Sequence, residues 1–374
     1  MPVKFLHTAD WQLGMKALQA GEKAREVRAA RFDAVERALR LAVDEAVDFV
    51  LVAGDTFEDP DVDDSVIRRA VDLLEQLAPM PVFVLPGNHD PLVPGGVWER
   101  ASWRQAGDHV TLFRERTEVA AGPHVALYPC PLTQKQSGID PTAWIPAREA
   151  GDQRMRIGVA HGALDILPDR VNFPIDGGRA ESSGLDYLAL GDWHGLHLAE
   201  RIAYPGTIEP SAFGERDPGH VLVVEIDGAR RAPRVRPLRV AGLRWWEANP
   251  KILDPTDVEQ LERAIASLGA PEKLVLRLAP RPGDGCPEEA FAALENLRAR
   301  LADRAFFLDW TEPTAVASGT AALEGLLAAA DADLASILDG RIPDGPGREF
   351  ASLDPEVARE ARVLLGRLAK EADA

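Results

Sequence analysis

The sequence predicts an α/β protein of the α+β type, with two packed mixed β-sheets flanked by helices and a small α+β unit behind them. Three observations carry that prediction. Residues 3–85 read as strand, helix, strand, helix, strand, and the strands are apolar almost throughout, as strands covered on both faces are. Residues 125–226 add five apolar segments with fewer helices between them, which calls for a second sheet packed face to face on the first. At 374 residues the chain is long for one domain and can bury a substantial core.

Val3–His7 forms the first expected strand. A long helix follows over Glu22–Val47, where Val27, Ala30, Val35, Leu39, Ala42 and Ala46 recur at helical spacing. Asp48–Ala53 is a buried strand, Asp64–Leu77 a second helix and Pro81–Leu85 a third strand. Later strands are expected at Val125–Tyr128, Arg156–Ala160, Tyr187–Leu190, Arg201–Tyr204 and Val221–Ile226. The 23 residues from Gly162 to Gly184, rich in Pro, Asp and Gly, exceed a plain connection and read as a functional loop. Arg and Pro cluster over Ala229–Pro237, which places a domain boundary there.

Beyond it, a helix over Asp257–Leu268, a strand over Lys273–Leu278, a helix over Glu288–Ala302 and a strand over Ala305–Trp310 suggest a small α+β module. From Glu312 onward, alanine-rich helical segments broken by Gly340–Gly347 read as a tail with poor tertiary anchoring. The expected division is therefore 1–232, 233–312 and 313–374.

Hydrophobic residues at 46% and charged residues at 27% argue against wholesale disorder. A net charge of −18 disfavours broad, non-specific attraction to nucleic acid, although bound cations or a basic partner would supply positive charge locally. Cys130 and Cys286 lie far apart and share no metal-ligand spacing, so a reducing, cytoplasmic location is expected. No apolar run approaches the length of a membrane span, and no membrane partner is expected.

Five short motifs each follow an apolar run: Asp10-Trp11-Gln12, Gly54-Asp55, Gly87-Asn88-His89-Asp90, His161-Gly162 and Gly191-Asp192-Trp193-His194. A sheet can gather such groups at its strand ends around two metal ions. Asp55 suits a ligand shared by both ions, because a carboxylate offers several lone pairs at once. Gly-Asp is also common turn chemistry, and Gly-Asn suits a tight turn. Asn88 offers a neutral oxygen, and adjacent His89 can reach a substrate oxygen as an acid. His161 and His194 both follow apolar strands. A lone histidine there is more often structural, but two among eight are hard to assign to accident.

These motifs, in this order, resemble the calcineurin-like metallophosphoesterase superfamily, whose fold is a four-layer sandwich of two sheets and flanking helices. Within it, His7–Gly14, Ala53–Phe57 and Tyr204–Pro210 are similar to the SbcD-type DNA repair exonucleases, over roughly residues 1–230. The resemblance implies that Asp10, Asp55 and His194 hold one ion and Asp55, Asn88, His161 and Asp192 the other, with His89 near the leaving group. It implies manganese, with magnesium as the alternative, and a capping function for the second domain. DNA is the implied substrate, cut by a two-metal attack of water on the phosphodiester. An SbcC-like SMC-type ATPase is the implied partner, docked through C-terminal helices such as Asp354–Lys370, whose Val357, Ala361, Leu364, Leu365 and Leu368 share a face. Packing of that helix on its own domain is the other reading, and a homodimer is left open.

The chain departs from the family pattern at Gln12 and Asp192, where relatives carry histidine, and at Glu58, where nucleases of this group often carry another. Gln12 is counted among the metal-site residues, although water could take its place. An amide and a carboxylate in place of two imidazoles make the site harder and more negative, which favours manganese or magnesium over zinc. Trp11, Trp98, Trp103 and Trp193 would either pack or stack on unpaired bases. Two rivals to the nuclease remain: a phosphodiesterase or phosphatase acting on a small molecule, and a scaffold that no longer catalyses.

Overall fold

The computed structural model describes residues 2–165, 172–283, 285–313, 319–341 and 353–372. Residues 166–171 of the loop expected over 162–184 lie outside the described residues, as do 342–347 of the glycine-bounded break and the Leu368 side chain. The described chain divides into two compact units. The first comprises Met1–Glu247, Leu268–Leu276 and Ala305–Asp309, and the second comprises the remainder.

The two large sheets of the first unit use twelve strands: β1 (Val3–Thr8), β2 (Phe49–Ala53), β3 (Val82–Leu85), β4 (Val110–Leu112), β5 (Val119–Ala120), β6 (Val125–Pro129), β7 (Met155–His161), β8 (Tyr187–Gly191), β9 (His197–Leu198), β10 (Ile202–Tyr204), β11 (His220–Ile226) and β12 (Arg234–Arg239). They form two six-stranded mixed sheets, in the orders β12-β11-β1-β2-β3-β4 and β5-β6-β7-β8-β10-β9. Strands β1 to β4 run parallel, as do β6 to β8, so within each group the carboxyl ends lie at one edge.

Strand periodicity explains the layering. Phe5 of β1, Leu51 of β2 and Phe83 of β3 share one apolar cluster with Leu127 of β6, Ile157 of β7 and Tyr187 of β8, which is the layer between the sheets. Their neighbours Leu6, Val50 and Val84 face the other way, into a core with helices α1 (Ala24–Asp44) and α2 (Asp64–Glu75). On α1, Val27, Arg31, Ala34, Val35, Ala38, Leu39 and Ala42 are buried at intervals of three and four, the stripe that makes this segment a packed helix. Outside the second sheet, Ala126, Tyr128, Leu188 and Leu190 meet Leu164, Ile175 and the short helix α3 (Arg179–Ser182). The expected pair of packed sheets with flanking helices is thus present.

Strand β12 overlaps the stretch read from sequence as a boundary. It pairs antiparallel with β11 at the sheet edge, with exposed Arg234 and Arg239 and a proline at position 237, so its composition resembles a linker. Tryptophans 11, 98 and 103 are core residues: Trp98 and Trp103 pack edge-to-face at 4.6 Å and both contact the Phe57 ring. Burial excludes these three from base stacking.

The remaining elements are β13 (Arg244–Ala248), β14 (Lys251–Ile252), α4 (Pro255–Ser267), β15 (Leu274–Leu278), β16 (Arg281–Pro282), α5 (Glu288–Arg304), β17 (Phe307–Trp310), α6 (Gly319–Leu338) and α7 (Pro355–Ala372). Strands β13, β15 and β17 form a three-stranded sheet, most of whose residues fall in the first unit. In the second unit, β14 pairs parallel with β16, and Arg362 of α7 pairs with Asp331 of α6 at 2.7 Å. No described helix is long and apolar enough to cross a membrane.

Candidate metal centre

The metal-site candidates sit at the carboxyl ends of parallel strands in both sheets. Asp10, Asp55 and Asn88 follow β1, β2 and β3, His161 closes β7, and Asp192 follows β8. Beyond the formal strands the first two loops stay paired: the Asp10 amide donates to Gly54 (3.1 Å), Gln12 to Asp55 (2.8 Å), and Leu13 to Thr56 (2.9 Å). Asp10, Gln12, Asp55 and Asp192 all have left-handed backbones, with φ of 51°, 45°, 51° and 100°. Four non-glycine residues in that sparsely populated region, within one constellation, mark stored backbone strain of the kind that accumulates at functional sites.

Asp10, Asp55 and His161 are buried and present ligand atoms within 4.8 Å of one another. His161 Nδ1 donates to the Ala53 carbonyl at 2.9 Å, which leaves Nε2 with a lone pair. That nitrogen stands 2.8 Å from Asn88 Oδ1 and 3.3 Å from Asp55 Oδ2. Three lone-pair atoms so converged repel unless positive charge lies among them. Donors bound side by side to one divalent ion at its usual bond lengths stand about 3 Å apart, which matches this spacing. Glycines make the room: a Cβ on Gly87 would lie 2.1 Å from Asp55 Oδ1, and one on Gly54 2.1 Å from His161 Nδ1. The donor set and its cradle therefore fit a divalent cation.

Electrostatics agree. Burial raises the Asp10 carboxyl to about 7. Burial works against charge on His161 and Asp55 too. Their mutual attraction prevails, holding the imidazole well above its ordinary range and the carboxylate below its own. A proton on His161 does in this pocket what a cation would do better.

His194 and Gln12 face each other, with Gln12 Nε2 3.1 Å from His194 Nε2. On the ring's other side, His194 Nδ1 donates to Glu215 at 2.8 Å, and Ser211 holds that carboxylate through its backbone and hydroxyl. Asp192 stands 4.0 Å from His161 Nε2, and its amide donates to both Asp10 oxygens at 3.2 Å. His89 points elsewhere: its amide donates to Asp55 Oδ1 (2.9 Å) and its Nδ1 to the Glu58 carbonyl (3.0 Å). Its ring borders a cavity of about 880 Å³ lined also by Glu58, Asp59, Asp61, Asp63, Lys16 and Lys135.

The structure thus gathers Asp10, Asp55, Asn88 and His161 into one knot, sets Gln12 against His194, and leaves His89 at the rim. Four supports escaped sequence reasoning: Glu215, Ser211, Arg31 and Asp90. Glu215 and Ser211 carry no motif. Arg31, on the buried stripe of α1, donates to the carbonyls of Trp11 (3.0 Å), Glu209 (2.8 Å) and Pro210 (3.2 Å), tying the Asp10 loop to the Tyr204–Pro210 segment. Asp90, inside a motif, is no ligand candidate: it accepts from the amides of Phe57 (2.9 Å) and Gly87 (2.7 Å), joining two site loops. Tyr204 anchors its segment, its hydroxyl donating to the Gly162 carbonyl at 2.7 Å.

The calcineurin-like phosphoesterase family matches residues 3–196, more than half of the chain, and the chain belongs to that family. Among individual proteins, the chain is 27% identical over 246 residues to the uncharacterized metallophosphoesterase YhaO of Bacillus subtilis, covering 60% of this chain and 58% of that one. It is 27% identical over 262 residues to the DNA double-strand break repair protein Mre11 of Aeropyrum pernix, covering 63% and 61%. Over 91 residues it is 30% identical to the D component of the nuclease SbcCD of Bacillus subtilis, covering 24% and 22%. The chain thus spans about three fifths of the length of the first two relatives.

Proposed function

We propose that this chain is a two-metal-dependent DNA nuclease, an exonuclease or endonuclease of the SbcD type acting in DNA repair with an SMC-like ATPase partner. The convergence of Asp10, Asp55, Asn88 and His161 on one point carries the reading. Similarity to Mre11 and to the nuclease SbcCD supports DNA as substrate. Asp55 would be shared by the two ions, with Asp10 and His194 holding one, beside Gln12, and Asn88, His161 and Asp192 the other. Manganese suits this oxygen-rich set, and magnesium is the alternative. Cations bound there supply the charge that acidifies water and neutralises phosphate oxygens.

The chain's own groups do the rest. Asp55 also orients His89 by accepting its amide, and the Glu58 carbonyl accepts from its Nδ1, which leaves Nε2 for substrate. With Nδ1 held by that carbonyl, the proton passed to the departing ribose oxygen must come from Nε2, so the ring acts from its doubly protonated form. Exposed Val357 and Leu364 on α7 supply an apolar face for the ATPase. Residues 233–312 are assigned the cap and 313–374 the partner-docking tail.

A manganese-dependent nuclease assay of the native chain, His89→Ala and Asp55→Ala tests this. Losses of roughly 10²-fold or more are expected in both variants, and equal activity in all three refutes the roles assigned. The small-molecule reading draws on one observation, the acidic lining of the cavity beside His89, which repels a polyanion. Turnover of small phosphate esters with none of single- or double-stranded DNA would decide for it.

A further inference from the structure

The two histidines of the centre are held in opposite senses. His161 Nε2 faces only acceptors, Asn88 Oδ1 and Asp55 Oδ2, and nothing but positive charge can reconcile them. His194 Nε2 faces a donor, the Gln12 side-chain amide at 3.1 Å. With Nδ1 engaged by Glu215, that amide stands on the side of Nε2 from which a cation would bind.

Gln12 is fixed in this role by its backbone. Its amide donates to the Asp55 carbonyl at 2.8 Å, its carbonyl accepts from Met15 at 3.2 Å, its φ is 45°, and its side chain is almost fully buried. Glu215 and Ser211 keep the ring from swinging away. His194 therefore cannot take a cation until the Gln12 side chain turns or withdraws.

We infer that Gln12 is a latch on His194 and that the two ion positions are consequently unequal. The position among Asp55, Asn88 and His161 fills first. The position between Asp10 and His194 fills second, after the latch is released. The inference rests on the two-metal reading and deepens it: at limiting manganese the chain carries one ion, and hydrolysis follows the weaker position.

Manganese titration of the full chain by calorimetry, with bound ions counted by electron paramagnetic resonance, tests this. The native chain should bind one ion tightly and a second about tenfold or more weakly, the scale on which a partner of a metal-binding histidine tunes affinity. Gln12→Met keeps the volume and removes the donor, and Gln12→Gly removes the side chain while suiting the left-handed backbone. With melting temperatures confirming the fold, the second ion should tighten toward the first in both variants. Loss of the second ion in both would make Gln12 a ligand and overturn the inference. Two equal ions on the native chain would also overturn it, while leaving the two-metal reading intact. A native chain that binds no manganese sinks both.

Discussion

At the scale of single residues, the centre depends on side chains that are absent as much as on those present. The Gly87 hydrogen faces Asp55 Oδ1, where a Cβ would stand 2.1 Å away and also 2.5 Å from the Asp55 amide. Gly87→Ala should therefore weaken manganese binding at least tenfold by moving Asp55, and titration of a variant that still melts cooperatively checks it. Proton competition gives a second expectation. Burial raises Asp10 to about 7, and a cation must displace the proton held there, so affinity should rise as pH rises through about 7 and fall below it. Calorimetry from pH 6 to 8 that shows a flat affinity would refute that assignment. The ligand candidates were legible because each ends an apolar strand. Glu215 was not, since only folding brings residue 215 beside residue 194.

At the scale of elements, α1 does more than cover a sheet. Its buried Arg31 holds three carbonyls from two site loops, and no periodicity argument anticipates an arginine on an apolar stripe. Arg31→Met keeps the volume but strands those carbonyls. The expected cost is roughly 3 kcal/mol, measurable by urea denaturation, and a change under about 0.5 kcal/mol, the ordinary range for a surface substitution, would show that the loops hold themselves. The central strands were readable from their apolar runs because both faces are covered. Edge strand β12 was not, because its alternating arginines and its proline suit solvent rather than core.

At the scale of the whole molecule, acid stability turns on a histidine far from solvent. His7 accepts a hydrogen bond from the Tyr187 hydroxyl (2.9 Å) and donates to the Leu190 carbonyl (3.2 Å), bridging the sheets. Burial pushes it from 6.5 down to about 3, so the unfolded chain takes up a proton that the folded chain refuses. The stability this contributes is complete above pH 6.5 and is lost as pH falls toward about 3. His7→Gln should flatten that loss by a few kcal/mol, at about 1.4 kcal/mol for each tenfold change in proton affinity, in urea unfolding measured between these pH values. The tail makes a separate expectation. If the proposed partnership holds, Val357→Glu with Leu364→Glu should abolish binding of the ATPase while leaving the proposed hydrolysis unchanged, and co-purification of the two chains reads it out.

The centre draws its groups from two sheets that are otherwise joined by packing and a few hydrogen bonds: Asp10, Asp55 and Asn88 from one, His161 and Asp192 from the other. A divalent ion lodged among them is then a rivet as well as a reagent. Saturation at a hundred times the dissociation constant should add about 2.7 kcal/mol to the native state. A chelator should accordingly lower the melting point, and a cell short of the cation would hold a chain easier to pry open and degrade.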